Sequence, residues 1–247
     1  MKNIIISGIC GKMGKYVYKS AKEQNLNVVC GVDKTTDDEI ICPVYSSFDP
    51  IGQNTDVVID FSSPSNLVGL LDFCVKAKTP LVICTTGYSP EEEKEISKAA
   101  EIIPILKMSN TALGVSLFIK TVTEIAEKLP DYDIEILETH HNEKKDSPSG
   151  TAKKIIDSLL KVRQNADIVY GRKGFGVRRG GEIGVHSVRG GSVTGEHTIF
   201  FFGKNDYISI THTALDKKLF SDGAIEAARF ITKKPKGLYN ETDIFGF

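Results

Sequence analysis

The densest group of chemically able side chains lies in one stretch, Glu138-Thr139-His140-His141-Asn142-Glu143-Lys144-Lys145-Asp146-Ser147-Pro148-Ser149-Gly150-Thr151-Ala152. An imidazole titrates near neutrality and can give or take a proton, while a nearby lysine supplies positive charge. His140, His141 and Lys144 could therefore converge on an anionic small molecule while one of them handles a proton. Ser149, Gly150 and Thr151 read as a place for its carboxylate, because the start of a helix presents unpaired N–H groups. Each has a plainer reading: a single histidine is usually a surface or structural residue, and Ser-Gly-Thr before a helix is usually only a cap. The adjacent histidines point in different directions and no third ligand has the needed spacing, so no metal site is expected.

A second group lies near the N-terminus, where Gly8-Ile9-Cys10-Gly11-Lys12-Met13-Gly14 follows an apolar run and leads into a helical stretch. Glycines there allow a tight turn and close backbone approach, so that the N–H groups of the helix start can meet a pyrophosphate. The spacing departs from Gly-x-Gly-x-x-Gly, with Cys10 at the second glycine position, and a strand-helix turn without a ligand is the plainer reading. Asp33 follows the next apolar run, about 20 residues on, where an acid that reads the ribose hydroxyls is expected. Lys34 beside it can balance a 2′-phosphate, or be an ordinary surface lysine. Cys84-Thr85-Thr86-Gly87 and Met108-Ser109-Asn110-Thr111 end two further runs and suit contacts to ribose and nicotinamide. The expected cofactor is NADH, NADPH or both.

These residues need elements to hold them. Continuous apolar, β-rich runs at 4–7, 28–32, 57–60 and 81–84 read as strands buried on both faces. Helices fill the gaps, opening at Ser63-Pro64 and at Ser89-Pro90-Glu91-Glu92-Glu93, where a hydroxyl, a first-turn proline and carboxylates suit a helix start. Residues 1–110 are thus expected to be a Rossmann-like α/β dinucleotide-binding domain with a parallel sheet, completed by the C-terminal segment 221–247. Residues 111–220 are expected to form a mixed α+β substrate-binding domain. It should contain a helix at 115–128, a strand at 133–139, a helix after Pro148 and three strands, 183–188, 197–202 and 207–213, in an antiparallel meander. A helix at 222–232 is expected to pack back on the first domain.

Balanced charge, 31 Lys and Arg against 32 Asp and Glu, leaves no broad basic field for nucleic acid or an anionic membrane. The five cysteines include no Cys-x-x-Cys pair, and the start of the chain has no apolar run of signal or membrane-spanning length. A cytoplasmic protein with reduced thiols is expected.

The long motif, Glu138-x-His140-His141-x-x-Lys144-x-Asp146-x-Pro148-Ser149-Gly150-Thr151-Ala152, resembles the signature of the 4-hydroxy-tetrahydrodipicolinate reductases. Gly8-x-x-Gly11-x-Met13-Gly14, Thr85-Thr86-Gly87, Arg189-Gly190-Gly191, Gly195-Glu196-His197 and Gly237-Leu238-Tyr239 are similar to that family as well, while Cys10 and Cys84 depart from its usual small residues. The resemblance implies NADH- or NADPH-dependent reduction of a cyclic imine dicarboxylate, 4-hydroxy-tetrahydrodipicolinate, in lysine and diaminopimelate biosynthesis. It also implies that His140 is proton donor or acceptor, that Lys144 is the second catalytic group, and that His141, Gly150 and Thr151 bind substrate. A homotetramer joined through the second domain's sheet is implied too, although the run Ile199-Phe200-Phe201-Phe202 is equally explained by a core. Two other classes stay open: a homoserine dehydrogenase-like enzyme, against which the His-His-Lys block counts, and a silent NADH-binding sensor, which would be expected to lose His140 or Lys144.

Overall fold

In a computed structural model, which describes every residue except Gln53, Gly246 and Phe247, the apolar runs of the N-terminal part become parallel strands. These are β1 (Asn3–Ser7), β2 (Asn27–Val32), β3 (Val44–Tyr45), β4 (Val57–Asp60), β5 (Leu81–Ile83) and β6 (Pro104–Lys107), joined by β12 (Gly237–Tyr239) from the far end of the chain. The sheet order is β12-β6-β5-β4-β1-β2-β3, with every pair parallel. Helices α1 (Lys12–Glu23) and α6 (Lys218–Ile231) cover one face, where Val17, Ala21, Ala224 and Ile225 pack on Ile4, Ile6 and Val57. Helices α2 (Leu67–Ala77) and α3 (Pro90–Ala100) cover the other, where Leu70, Cys74 and Ile96 meet Ile5, Val58 and Leu81. Burial from both sides is why these strands read as unbroken apolar runs rather than alternating ones.

The chain forms two compact units, one of Met1–Leu113 with the chain from Lys218 onward and one of Gly114–Lys217. The first is the expected Rossmann-like parallel sheet. Gly246 and Phe247, the end of the expected C-terminal segment, lie outside the described residues. The helix start at Ser89 carries a full capping box, Glu92 N–H donating to the Ser89 hydroxyl and the Glu92 carboxylate accepting from Ser89 N–H. The start read at Ser63-Pro64 is instead a short 3-10 turn, Pro64–Asn66, running directly into α2. Strand β6 is the run expected to end at Met108, whereas strands β3 and β12, only two and three residues long, were not expected.

The second unit carries a five-stranded mixed sheet of β7 (Asp133–His140), β8 (Asp167–Tyr170), β9 (Glu182–Arg189), β10 (Gly195–Phe202) and β11 (Tyr207–Ala214), in the order β11-β10-β7-β9-β8. Helices α4 (Leu113–Lys128) and α5 (Gly150–Val162) pack on one face, where Phe118, Val122, Ile155 and Leu159 meet Ile134, Ile136, Ile199 and Phe201. Alternate residues of β7 are buried, so Ile134, Ile136, Glu138 and His140 share that inner face.

The expected antiparallel meander is not formed. β9 runs parallel to β7 on one side and β10 antiparallel to it on the other, so only β10 and β11 make a hairpin. Strands two apart in a sheet lie about 10 Å from each other. The five residues between Arg189 and Gly195 cross that distance easily. Their backbone then pairs with the chain leaving β7: Gly190 N–H donates to His140 O, His141 N–H to Val193 O and Asn142 N–H to Gly191 O. Gly-Gly marks a turn in the sequence, but cannot say whether a third strand fills the space it spans.

Two glycines of the first turn are required by their surroundings. Gly8 has φ +77°, and a Cβ there would lie 2.4 Å from Phe61 O. A Cβ on Gly14, inside α1, would lie 2.0 Å from Gly8 O. Gly14→Ala is therefore expected to cost about 1–3 kcal/mol in urea unfolding, the usual penalty for overpacking. Gly69→Ala in α2, where no atom lies within 4 Å of the new Cβ, should be neutral or gain up to about 1 kcal/mol. Equal behaviour of the two variants would contradict the close approach of α1 to the turn.

Candidate active site

In the first unit, the glycine turn is held by the strand beside it. Gly8 N–H donates to Val32 O, and Cys10 N–H donates to the Asp33 carboxylate at 3.0 Å. The other Asp33 oxygen accepts from the Thr35 N–H and hydroxyl, each at 3.2 Å. Gly11 is the N-cap of α1 and supplies no capping side chain, so the backbone at Lys12 and Met13 starts the helix without an internal acceptor. Ile9 is fully buried in the core and can offer a ligand only its backbone. Lys12 and Lys34 are exposed.

The other two loops divide in the same way. Met108 is buried in the core and its N–H donates to Ile83 O. Thr111 is also buried, with its carbonyl against Gly223 of α6. Thr86 and Ser109 are exposed, Cys84 is half-buried, and Asn110 accepts from Ala112 N–H through its side chain. Thr85 is buried with no partner for its hydroxyl among the described residues.

In the second unit, the strand register assembles the chemistry. His140 faces Arg189 of β9, and Glu138 lies between Ser187 of β9 and His197 of β10. Glu138 is fully buried, and Arg189 donates to both its oxygens, at 2.8 and 2.7 Å. His140 Nδ1 donates to Glu138 Oε2 at 2.5 Å, and Ser149 N–H donates to Oε1 at 3.2 Å. An ionised carboxylate only accepts, so the proton in the His140 contact sits on Nδ1. Gly195 makes room for the ring: a Cβ there would lie 2.9 Å from His140 Nε2.

The charges follow from these contacts. Burial alone would raise the Glu138 pKa, but hydrogen bonds from Arg189, Ser187 and His140 outweigh it and hold the carboxyl at about 2. For His140 burial dominates and lowers the pKa; the Glu138 hydrogen bond and charge oppose it, and the charges of Lys144 and Arg189 add to the lowering. His197, edge-on to His140 at 5.2 Å, is driven to about 4 by burial and the charge of His140, and so is neutral near pH 7.

Lys144 donates to Asp146 at 2.7 Å and lies on the loop between β7 and α5. Ser149 is the N-cap of α5: Ala152 N–H donates to its hydroxyl, which also shares a 2.9 Å hydrogen bond with His197 Nε2. Both polar groups of Ser149 thus point inward, away from the role of a direct substrate contact read from the sequence. The open donors at this helix start are Gly150, which is exposed, and Thr151, which is half-buried. His141 is half-buried, its N–H committed to Val193 O.

The second unit therefore brings together His140, Lys144 and the start of α5, and adds Glu138, Arg189 and His197, to which the sequence reading gave no site role. The Glu138-x-His140 spacing signals that both face one side of a strand. Arg189 and His197 stand in two of the stretches that resemble the family, Arg189-Gly190-Gly191 and Gly195-Glu196-His197, but only strand register sets them beside Glu138 and His140. Among the described residues no three His, Cys, Asp or Glu side chains are grouped to hold a metal ion, and no helix is long and apolar enough to cross a membrane.

Comparison with known proteins covers the chain almost end to end. The family description "Dihydrodipicolinate reductase, N-terminus" matches residues 2–111, and "Dihydrodipicolinate reductase, C-terminus" matches residues 114–245. The 4-hydroxy-tetrahydrodipicolinate reductase of Clostridium tetani is 41% identical over 243 residues, covering 97% of this chain and 95% of that one. The enzyme of the same name from Caldanaerobacter subterraneus is 44% identical over 247 residues, covering 99% and 98%. Among solved structures, the dipicolinate-bound dihydrodipicolinate reductase of Paenisporosarcina sp. TG-14 aligns with a TM-score of 0.81 at 24% identity, covering 98% of this chain and 99% of that chain. An amine dehydrogenase from Mycobacterium smegmatis shares the fold at a TM-score of 0.60 and 10% identity, over 96% and 94% of the two chains.

Acid should expose the role of Glu138 in stability. Its folded pKa of about 2 lies below the ordinary 4.5, so its contribution is present above about pH 4.5 and fades as pH falls toward 2. That difference corresponds to about 3 kcal/mol. Glu138→Gln should therefore unfold more easily in urea at pH 7 by roughly that amount, with the gap to the parent closing on acidification. A gap as wide at pH 3 as at pH 7 would show that the carboxylate is not held ionised by its partners.

Proposed function

Because the chain belongs to the dihydrodipicolinate reductase family, we propose that it reduces 4-hydroxy-tetrahydrodipicolinate to tetrahydrodipicolinate, with loss of water, at the expense of NADH or NADPH. The reading rests on one observation above all: a buried, carboxylate-oriented imidazole, a lysine and an open helix start lie together in the second unit. The names carried by the full-length relatives favour it over a homoserine dehydrogenase-like enzyme or a silent sensor.

The first unit takes the dinucleotide. Its pyrophosphate is assigned to the turn of Gly8, Ile9, Cys10, Gly11, Lys12 and Met13, whose backbone packing leaves no room for side chains at Gly8 and Gly14. Asp33 is assigned to the ribose, with Lys34 tolerating a 2′-phosphate, so that both cofactors serve and NADH no worse. Cys84, Thr85, Thr86, Met108, Ser109, Asn110 and Thr111 are assigned to the nicotinamide side, Ile9 and Met108 through their backbones. Reduced nicotinamide, when bound, supplies a hydride.

The second unit takes the imine dicarboxylate. The start of α5 at Gly150 and Thr151 accepts one carboxylate through N–H groups, and Lys144 and His141 add cationic or donor contacts. A ring that has received hydride carries carbanion character at a neighbouring carbon and needs a proton. His140 delivers it from Nε2, the nitrogen not tied to Glu138. Since the folded His140 pKa is below 6.5, the imidazolium is a minor species at neutral pH and a correspondingly strong acid. The same proposal includes a cytoplasmic homotetramer joined through the face of the second sheet opposite α4 and α5, where Phe202 and Tyr207 are exposed.

The test is loss of reduced-nicotinamide absorbance with substrate made freshly from pyruvate and aspartate semialdehyde. Turnover with at least one of NADH and NADPH is expected, and Lys144→Ala should lower kcat by about 10²-fold or more while leaving NADH binding intact. Silence of folded protein with both cofactors would remove the reading.

A further inference from the structure

Glu138 is buried beneath the proposed proton donor, yet it does not itself meet substrate in the reading above. We propose that Glu138 is a positioning residue that locks His140 in the tautomer carrying its proton on Nδ1 and so presents Nε2 as the single proton-exchanging atom; this rests on the proposed function only for the identity of the reaction.

Geometry carries the assignment. Glu138 accepts two hydrogen bonds from the Arg189 fork, one from His140 Nδ1 and one from Ser149 N–H, with the Ser187 hydroxyl as a further donor. The Arg189 fork and the strand fix the carboxylate, leaving Oε2 aimed at the imidazole. A carboxylate held this way sets both the ring's orientation and its tautomer, as a second carboxylate does for histidines in general. Gly195 completes the arrangement, because a side chain there would crowd Nε2: its Cβ would lie 2.9 Å from that atom.

The charged and titratable groups around His140 are Glu138 on its own strand, Arg189 on β9, His197 on β10 and Lys144 on the following loop. Only Glu138 favours the imidazolium, through both a hydrogen bond and its charge; Lys144 and Arg189 oppose it. His197 is neutral in the working range and adds no charge. Glu138 is thus the one neighbour that lets His140 reload a proton between turnovers.

Two measurements decide the point. In the unmodified protein without substrate, long-range ¹H–¹⁵N correlation of labelled histidines should show neutral His140 with its proton on Nδ1 and a bare Nε2. The opposite tautomer overturns the proposal, whether or not the enzyme turns over this substrate. In Glu138→Gln that retains the parent's circular dichroism, kcat should fall by about 10²-fold, the general acid range, with KM and NADH binding changed much less. Activity requires the imidazolium and falls as pH rises through the His140 pKa; loss of Glu138's charge should move that descending limb to lower pH. An unshifted limb with kcat within about twofold of the parent overturns the proposal. If the parent itself ignores the imine substrate, the function fails while the tautomer measurement still decides the role of Glu138.

Discussion

The second unit is organised around a carboxylate that should not be comfortable where it is. Glu138 has no exposed surface, and removing an ion from water is costly unless its charge and lone pairs are answered in place. Here they are answered by a bidentate guanidinium, an imidazole, a backbone N–H and the Ser187 hydroxyl. Because those donors come from β9, β7 and the start of α5, satisfying one buried charge fixes three separate pieces of chain against each other. The proposed proton carrier and the proposed carboxylate-binding helix start are both among those pieces.

This arrangement also divides labour among neighbouring residues that look alike in the sequence. Ser149 is consumed by structure, its N–H on Glu138 and its hydroxyl on the helix and His197. Gly150 and Thr151, one and two residues later, stand where a helix leaves its N–H groups open. His140 and His141 part similarly: one ring turns inward to the carboxylate, and the other stays half-buried on the loop. The first unit solves its own problem by subtraction, since the turn at Gly8 and the entry of α1 at Gly14 meet only because neither has a side chain.

Much of the fold was legible because burial writes a period into the chain. The apolar runs of β1, β2, β4 and β5 and the capping box at Ser89 announced a parallel sheet with helices. Long alternating strands such as β7 were equally readable. Short β3 and β12 gave too few residues for any period. The meander reading failed for another reason: turn residues at Gly190-Gly191 report a change of direction, whereas the placement of β7 between β9 and β10 is decided by packing on Ile134 and Ile136. The site shows the same split. His140, Lys144 and the start of α5 lie in one motif, but Arg189 reaches Glu138 from 51 residues away, and nothing local marks it as a partner.

The interior contact that ties Glu138 to the helix start can be watched directly by native-state hydrogen exchange at three consecutive amides. Ser149 N–H, bound to the buried carboxylate, should exchange at a rate approaching that set by unfolding of the second unit. The amides of Gly150 and Thr151 should exchange orders of magnitude faster. If Ser149 exchanges as quickly as its two neighbours, the carboxylate does not hold the helix start, and the buried charge is not the hinge on which the site is built.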